Sequence, residues 1–546
     1  MTDIIESGDS WGSDVAEIEV LGHPCLSFVK RRHHIADLLA DGRRFTDRNY
    51  LVQGSRRMSF AEHEVAVDRI TALLDERGVR PGDRVMLFGA NSIEWVVAFW
   101  AVIRSGAVVV LANAWWSRTE VDHALRTVTP RYVVADDVRA PLLPDTQERI
   151  DFADITSTLE GDAAPAITRP TATEDDAAIV LFTSGTTGLP KGAVLSHRGV
   201  LATLQSLALL TRRLPGASSK LPAPSTALLS IPLFHVGGLQ QIITPMLAGG
   251  SLVFTEGRFD PQKVLRLLDE EQVSVWSTVP TLVSRVMDHM EAVGHEGASS
   301  VRTVGLGGSP VGAQLRNKVP RWFPNASRGV AVTYGLSEGG GVLATGIGAD
   351  LVNRPGSVGR PLPVVTIRIE NPDENGEGEI LVRSPSVMLQ YWTAEERSLE
   401  PVDDPITPDR WLRTGDIGRL DNDGFLYVTD RRKDIVIRGG ENIATPHVEN
   451  RLLEHPGVRE VAVVGLPHPN LGEEVGAIVV LRDDSTVTEE ELAAFAREQL
   501  AYFEVPTRWR ISLKPLPQNA TGKVVKRTVR DEWIAEMSSV STPSSH

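Results

Sequence analysis

From Thr183 to Gly192 the chain reads Thr-Ser-Gly-Thr-Thr-Gly-Leu-Pro-Lys-Gly. Gly185, Gly188 and Gly192 permit a tight turn with backbone N–H groups aimed inward. Thr183, Ser184, Thr186 and Thr187 add hydroxyl donors, and Lys191 adds a positive charge. Such a set suits a polyphosphate, each charge-assisted hydrogen bond contributing roughly 1.5–3 kcal/mol. A flexible Gly/Ser loop would have the same composition. The apolar run Ala177 to Phe182 just before it argues instead for a loop delivered by a buried strand. The spacing is not that of a Walker A loop, because Pro190 stands where a glycine must precede the lysine. Gly305-Leu-Gly307 does not complete a dinucleotide fingerprint either, since Pro310 fills the last glycine position.

Further segments with chemistry in them follow in order: Pro232-Leu-Phe-His-Val-Gly-Gly-Leu239, Gly307-Gly-Ser-Pro310, Tyr334-Gly-Leu-Ser-Glu338, Thr414-Gly-Asp416, Asp430-Arg-Arg-Lys433, Arg438-Gly-Gly-Glu-Asn442 and Leu516-Pro-Gln-Asn-Ala-Thr-Gly-Lys523. Together with the Thr183 loop this series resembles the motifs of the AMP-forming acyl-CoA synthetases, a superfamily shared with peptide-synthetase adenylation domains and beetle luciferases. The likeness runs from about Ser59 to Arg527, most of the chain.

The resemblance implies a role for each segment. Thr183, Ser184, Gly185, Thr186, Thr187, Gly188 and Lys191 would hold the phosphates of ATP. His235 would sit beside the substrate carboxylate; a satisfied, half-buried histidine is the plainer reading of that residue. Gly307, Gly308, Ser309 and Pro310 would lie against adenine, with Tyr334 and Gly335 in the next motif supplying a stacking ring. Glu338 is a hard oxygen donor suited to Mg²⁺. Ser337 replaces the usual threonine before it, keeping the hydroxyl and losing a methyl. Asp416 would accept the ribose hydroxyls and Arg431 would reach ribose and phosphate, with Asp430 in place of the usual glycine before it. Lys433 matches the hinge of the family, and Gly439 and Gly440 its pantetheine tunnel. The form Gly-Gly-Glu-Asn there is that of acyl-CoA synthetases, whereas adenylation domains and luciferases differ. Lys523 would enter the site during adenylation, its ammonium stabilising charge on the α-phosphate and the attacking carboxylate.

The elements that must position these residues are legible in the hydrophobic periodicity. Ser59 to Gly78 reads as an amphipathic helix with Ser59 and Glu62 as a capping box. Arg84 to Gly89, Ser92 to Ser105 and Ala107 to Leu111 read as strand, helix and strand, a βαβ unit that implies a parallel sheet. Ala177 to Phe182, Ala227 to Ile231, Val273 to Ser277 and Val330 to Thr333 are further strand candidates, with a helix from about His197. From about Ser357 the pattern turns to short strands: Val365 to Ile369, Gly378 to Val382, and Phe425 to Val428 after the turn Asp421-Asn-Asp-Gly424. The expected class is α/β: a large N-terminal region of parallel-rich αβ layers with a small β-rich subdomain, residues 1–432, then a small C-terminal α/β domain, residues 433–546, which the resemblance implies is a mobile lid hinged at Lys433.

Composition bounds the function. Length, at 546 residues, implies roughly two to four domains. A net charge of −15 argues against a nucleic-acid surface. Cys25 is the only cysteine, which excludes an intramolecular disulfide and fits a reducing cytoplasm. Met1 to Glu19 has no apolar signal core, and no run of 18 apolar residues suggests a membrane span. Within these bounds the resemblance implies activation of a carboxylic acid as acyl-AMP with ATP and Mg²⁺, then transfer to coenzyme A. A stand-alone enzyme loading a carrier protein, and an enzyme specialised to one half-reaction, are the alternatives. The acid itself is not readable, although Gly339-Gly-Gly341 suggests room for a bulky, hydrophobic acyl group. Oligomeric state, a homodimer included, stays open.

Overall fold

The computed structural model describes residues 11–159, 172–183, 190–215, 223–309, 311–326, 329–392, 404–431, 434–438, 441–483, 485–512, 514–519 and 522–540. Ser59 caps the helix Phe60–Glu76 in a complete capping box with Glu62, and Gly78, at φ +76°, turns the chain out of it. The expected βαβ unit follows: strand Arg84–Phe88, helix Ile93–Ser105, strand Val108–Leu111, with the two strands parallel. That helix is apolar all round, Trp95, Phe99 and Trp100 being fully buried. A helix of this kind needs cover on every side. It finds it between two sheets, in one apolar cluster that takes Val85 and Val109 from the first and Leu51, Leu229 and Leu252 from the second.

The first sheet has seven strands. Its middle is parallel, with Ala177–Thr183 beside Val108–Leu111. One expectation needs correction here. The Thr183 segment does not lead from strand to helix; it returns into a second strand, Lys191–Ser196, antiparallel to Ala177–Thr183, and only then does the helix His197–Leu210 begin. The nine-stranded second sheet carries four parallel neighbours that matter for the site: Thr226–Leu229, Val275–Thr278, Thr303–Gly307 and Val330–Leu336. Their C-terminal ends release the Gly307, Gly308 and Tyr334 segments along one edge, where ligands of parallel sheets are bound.

The β-rich unit is a four-stranded antiparallel sheet of Thr366–Glu370, Gly378–Arg383, Leu412–Leu420 and Leu426–Arg431. In the turn before its last strand, Asp421 accepts hydrogen bonds from the N–H groups of Asp423 and Phe425, and Gly424 has φ +79°. The next strand, Val436–Arg438, belongs to a separate five-stranded sheet built on Val458–His468 and Gly472–Leu481. That sheet has a core on each face, one under Val448, Leu452 and Leu492, the other under Val529 and Trp533. A small domain with its own core on both faces is a unit able to move as one body. Among the described residues no helix is long and apolar enough to cross a membrane. Cys25 is buried in the N-terminal hairpin Val15–Val20 and His23–Phe28.

Candidate active site

Asp416 lies on the strand Leu412–Leu420 and is buried, with both carboxylate oxygens engaged. One accepts from the Tyr334 hydroxyl at 2.8 Å, the other from Arg431 Nε at 3.0 Å. Asp416 and Arg431 face each other across paired strands, so register alone brings them together. Each carboxylate oxygen keeps a free lone pair, so acceptance from a vicinal diol remains open. Burial, and then the Asp416 charge, holds the Tyr334 hydroxyl well above the usual phenol range. Tyr334 is therefore a neutral donor.

Lys523 reaches this cluster from the C-terminal domain. Its charged neighbours are Arg431, Asp416, Asp434 and Lys526. Burial, with Arg431 acting in the same direction, lowers its pKa to about 8. The loop carrying it is closed on itself, the Lys523 N–H donating to Asn519 Oδ1 at 3.0 Å, and is tied to the N-terminal region by Thr281, which donates to the Gly522 carbonyl at 2.9 Å. Gly522 has φ +80°, and a Cβ there would meet Thr281 and Leu282 at 3.3–3.4 Å. Glycine thus lets the loop lie flat on the helix Pro280–Ala292.

A second cluster centres on Tyr391, which sequence reasoning missed. Its hydroxyl donates to Glu338 Oε1 at 2.9 Å, Thr183 bonds the same hydroxyl, and the Lys191 ammonium stands 5.3 Å from the ring centroid. Tyr391 opens the two-residue strand that pairs with Lys191–Ser196, so it sits beside the strands that flank the phosphate-loop candidate. Glu338 and Ser337 occupy a one-turn 3-10 helix directly after Tyr334 and Gly335. A single carboxylate of this kind fits Mg²⁺, which takes one or two carboxylates and completes its shell with substrate phosphates and water. Among the described residues no group of three or more His, Cys, Asp or Glu could hold a metal without such a substrate.

His235 is the N-cap of the helix Val236–Ala248. Burial lowers its pKa to about 4, so it is neutral at physiological pH, and its Nε2 is buried without a hydrogen-bond partner. Phe234 packs beside it, with the half-exposed Trp115 edge-on to Phe234 at 5.2 Å. Gly307 approaches Thr333 so closely that a Cβ would lie 2.3 Å from its Oγ1, and Gly308 has φ +79°; the pair makes the flat end of strand Thr303–Gly307 next to Ser309. The Gly339–Gly341 run does not leave open room. A Cβ at these positions would collide with Leu343, the Ser386 carbonyl and Gln240 respectively, so the three glycines serve close packing of the chain on itself.

Asp430, the departure before Arg431, is buried and binds across the junction. It accepts from the Thr445 N–H at 2.8 Å and from its own neighbour's N–H at 2.6 Å. Burial pushes its carboxyl up to about 6. Ser184, Gly185, Thr186, Thr187, Gly188, Pro310, Lys433, Gly439 and Gly440 lie outside the described residues.

Comparison with known proteins completes the picture. The AMP-binding enzyme family matches residues 39–392, and the AMP-binding enzyme C-terminal domain matches residues 447–523. A feruloyl-CoA synthase of Amycolatopsis is 34% identical over 494 residues, covering 87% of this chain and 94% of the relative. A long-chain-fatty-acid–CoA ligase of Bacillus subtilis is 30% identical over 541 residues, covering 90% and 92%. Among solved structures, o-succinylbenzoate CoA synthetase of Bacillus subtilis with its acyl-adenylate superposes with a TM-score of 0.78 at 29% identity, covering 92% of this chain and 99% of that one. A double mutant of that synthetase bound to a product analogue gives 0.63 at 28% identity, covering 90% and 98%.

Proposed function

The chain belongs to the AMP-binding enzyme family and is an acid–thiol ligase, and from that premise we propose that it joins a carboxylic acid to coenzyme A in two steps catalysed at one nucleotide site. A carboxylate is a poor acyl donor because its leaving group would be oxide. In the first step a carboxylate oxygen attacks the α-phosphorus of ATP, the α–β bridging bond breaks, and pyrophosphate leaves. In the second the thiol attacks the acyl carbon of the mixed anhydride, AMP leaves, and the thiol proton passes to solvent.

The residues of this site supply positioning and charge. Asp416, held by Tyr334 and Arg431, would receive the ribose hydroxyls. Lys523 and Arg431 would neutralise the α-phosphate as the carboxylate approaches. Thr183 and Lys191 would open the phosphate cradle with the loop between them, and Glu338 would hold Mg²⁺, which screens charge on the phosphate oxygens. Neutral His235 can donate from Nε2 to the substrate carboxylate without quenching its nucleophilicity as a cation would. The single observation that carries this reading is the docking of the Lys523 loop on the N-terminal region through Gly522 and Thr281, which leaves Lys523 buried within electrostatic reach of Arg431 and Asp416.

We also propose that the lid turns about Lys433 between the steps. In the arrangement described, Gly522 is fastened to Thr281, which holds the Lys523 loop against the N-terminal region as adenylation would require. The higher likeness to the acyl-adenylate complex than to the product-analogue complex of the same relative supports this assignment of state. The acid would have a mainly apolar body, next to Phe234 and Trp115, and the ligase a cytoplasmic location. The test is acid-dependent ATP–pyrophosphate exchange across a panel of acids, followed by AMP release with and without coenzyme A. Exchange together with coenzyme A-stimulated AMP release is expected. Absence of exchange with every acid overturns the reading, and AMP release stimulated only by a carrier protein replaces the acceptor.

A further inference from the structure

Asp430 ends the β-rich unit just before the proposed hinge, yet its carboxylate is engaged on the far side of that hinge. It lies on the strand Leu426–Arg431, next to Arg431, and is buried. Oδ2 accepts from the Thr445 N–H at 2.8 Å and from the Thr445 hydroxyl at 3.4 Å, while Oδ1 accepts from the Arg431 N–H at 2.6 Å. Thr445 is fully buried and opens the helix Thr445–Leu452 of the C-terminal domain.

That helix has no cap of its own. Its N-cap residue is Ala444, which offers no side-chain acceptor, and the second helical residue is Pro446. The first N–H groups of a helix lack partners inside it, and a Ser, Thr, Asp or Asn at the N-cap normally supplies one. Here a carboxylate from another unit takes the first N–H, where the helix dipole favours negative charge.

The start of this helix is also where the lid gathers the segment that carries Lys523. Lys526 Nζ donates to Thr445 Oγ1 at 2.6 Å and pairs with Glu449 Oε1 at 2.8 Å. The same Glu449 oxygen accepts from the Val463 N–H at 2.8 Å, on the central lid strand Val458–His468. Helix, sheet and the Lys523 segment are thus one piece, and whatever holds Thr445 sets the direction from which Lys523 enters. A cap within one domain survives any movement of that domain. A cap across a hinge holds only the arrangement in which its halves meet, because a hydrogen bond weakens steeply once its donor swings out of line.

We infer that Asp430 is a positioning residue for the first half-reaction: by capping the lid helix from across the hinge, it latches the arrangement in which Lys523 lies within electrostatic reach of Arg431 and Asp416. The inference rests on the proposed turn of the lid about Lys433. Before the thiol step the lid must give up this cap, so the strength of the latch divides the enzyme's time between its two reactions. Removing an N-cap acceptor shifts a helix equilibrium by about threefold to thirtyfold. The rate of each half-reaction follows the fraction of molecules in its arrangement.

The experiment measures the two half-reactions separately in Asp430→Ala. Acid-dependent pyrophosphate exchange should fall in kcat/KM for ATP by roughly three- to thirtyfold, whereas thioester formation from supplied acyl-AMP and coenzyme A should not fall. A purely structural role would lower both. Adding Ala444→Ser gives the helix its own cap, which should raise the denaturation midpoint of Asp430→Ala without restoring exchange. Arg482 of the lid faces Asp288 of the N-terminal region at 3.7 Å, so a short bismaleimide across Asp288→Cys and Arg482→Cys ties the lid down. In the tied protein Asp430→Ala should exchange within about twofold of the tied parent, because the latch is then redundant. Unchanged exchange in Asp430→Ala, equal loss of both half-reactions, recovery of exchange by Ala444→Ser, or a defect that persists in the tied protein overturns the inference. Thioester formation by the tied parent overturns the lid turn, and the latch with it. Exchange with no acid at all overturns the ligase reading.

Discussion

Lys523 shows how a lid residue is tuned by where it lands. Its pKa of about 8 comes from burial first and from Arg431 second, against the pull of Asp416 and Asp434. The protonated form is the one that neutralises the α-phosphate. In the free enzyme, kcat/KM for ATP in pyrophosphate exchange should therefore fall about tenfold per pH unit above roughly pH 8, and this limb should vanish in Lys523→Arg. The sign for stability is opposite. An unfolded lysine titrates near 10.4, so between about 8 and 10.4 the unfolded chain binds more protons, and this group's contribution to the ligand-free fold rises with pH across that window. Lys523→Ala should lower exchange by on the order of 10²–10³, yet leave thioester formation from supplied acyl-AMP. Tyr391→Phe keeps the ring under Lys191 and removes the hydroxyl that donates to Glu338 and bonds Thr183. The Mg²⁺ concentration for half-maximal exchange should rise roughly tenfold, with the denaturation midpoint little changed. Asp416, Arg431 and Lys523 were singled out through the resemblance of their motifs, whereas the ion pair between Asp416 and Arg431 comes from strand register and was not read from the chain. Tyr391 was not singled out, since nothing local marks an aromatic residue whose partner stands 53 positions away.

At the level of elements, local signals read well where they are self-contained. The Ser59–Glu62 capping box, the Gly78 stop and the Asp421–Gly424 turn are each decided by a few neighbouring side chains, and each is found as expected. The strand Lys191–Ser196 was missed for an equally physical reason. Only Ala193-Val194-Leu195 is apolar within it, too short a run to signal a strand, and the helix His197–Leu210 begins at the very next residue after Ser196. The Gly339–Gly341 run misled in another way: small residues suggest space, but chain and side chains from elsewhere fill it. Gly341, at φ +112° and with Gln240 in the place of a Cβ, makes this testable. Gly341→Ala should destabilise the protein by about 1–3 kcal/mol in denaturant titration, and an unchanged midpoint would show that the region has slack.

For the whole molecule, the α/β class, the order of its parts and the change to short strands after Ser357 were all visible in the chain. The strand order within each sheet was not, because it depends on pairings remote in sequence, such as Ser251–Phe254 with Asn49–Gln53. How the lid sits was equally hidden. Besides Thr281 and Gly522, Arg482 of the lid faces Asp288 of the helix Pro280–Ala292 at 3.7 Å, both partly exposed. Joining Asp288→Cys and Arg482→Cys with a short bismaleimide should preserve pyrophosphate exchange and abolish thioester formation. Equal survival of both activities would show that no lid rotation is needed. The same buried hairpin that keeps Cys25 from competing for the reagent has a wider consequence. Burial raises its thiol to about 11, against the influence of Arg383, Arg198 and Arg410. An enzyme whose second substrate is a thiol is exposed to every oxidised form of that substrate, and a reactive surface cysteine would be captured as a mixed disulfide with it. With its sole sulfhydryl protonated and walled in, this chain offers oxidised coenzyme A nothing to exchange with, so at a fixed concentration of the free thiol its turnover should be indifferent to added disulfide.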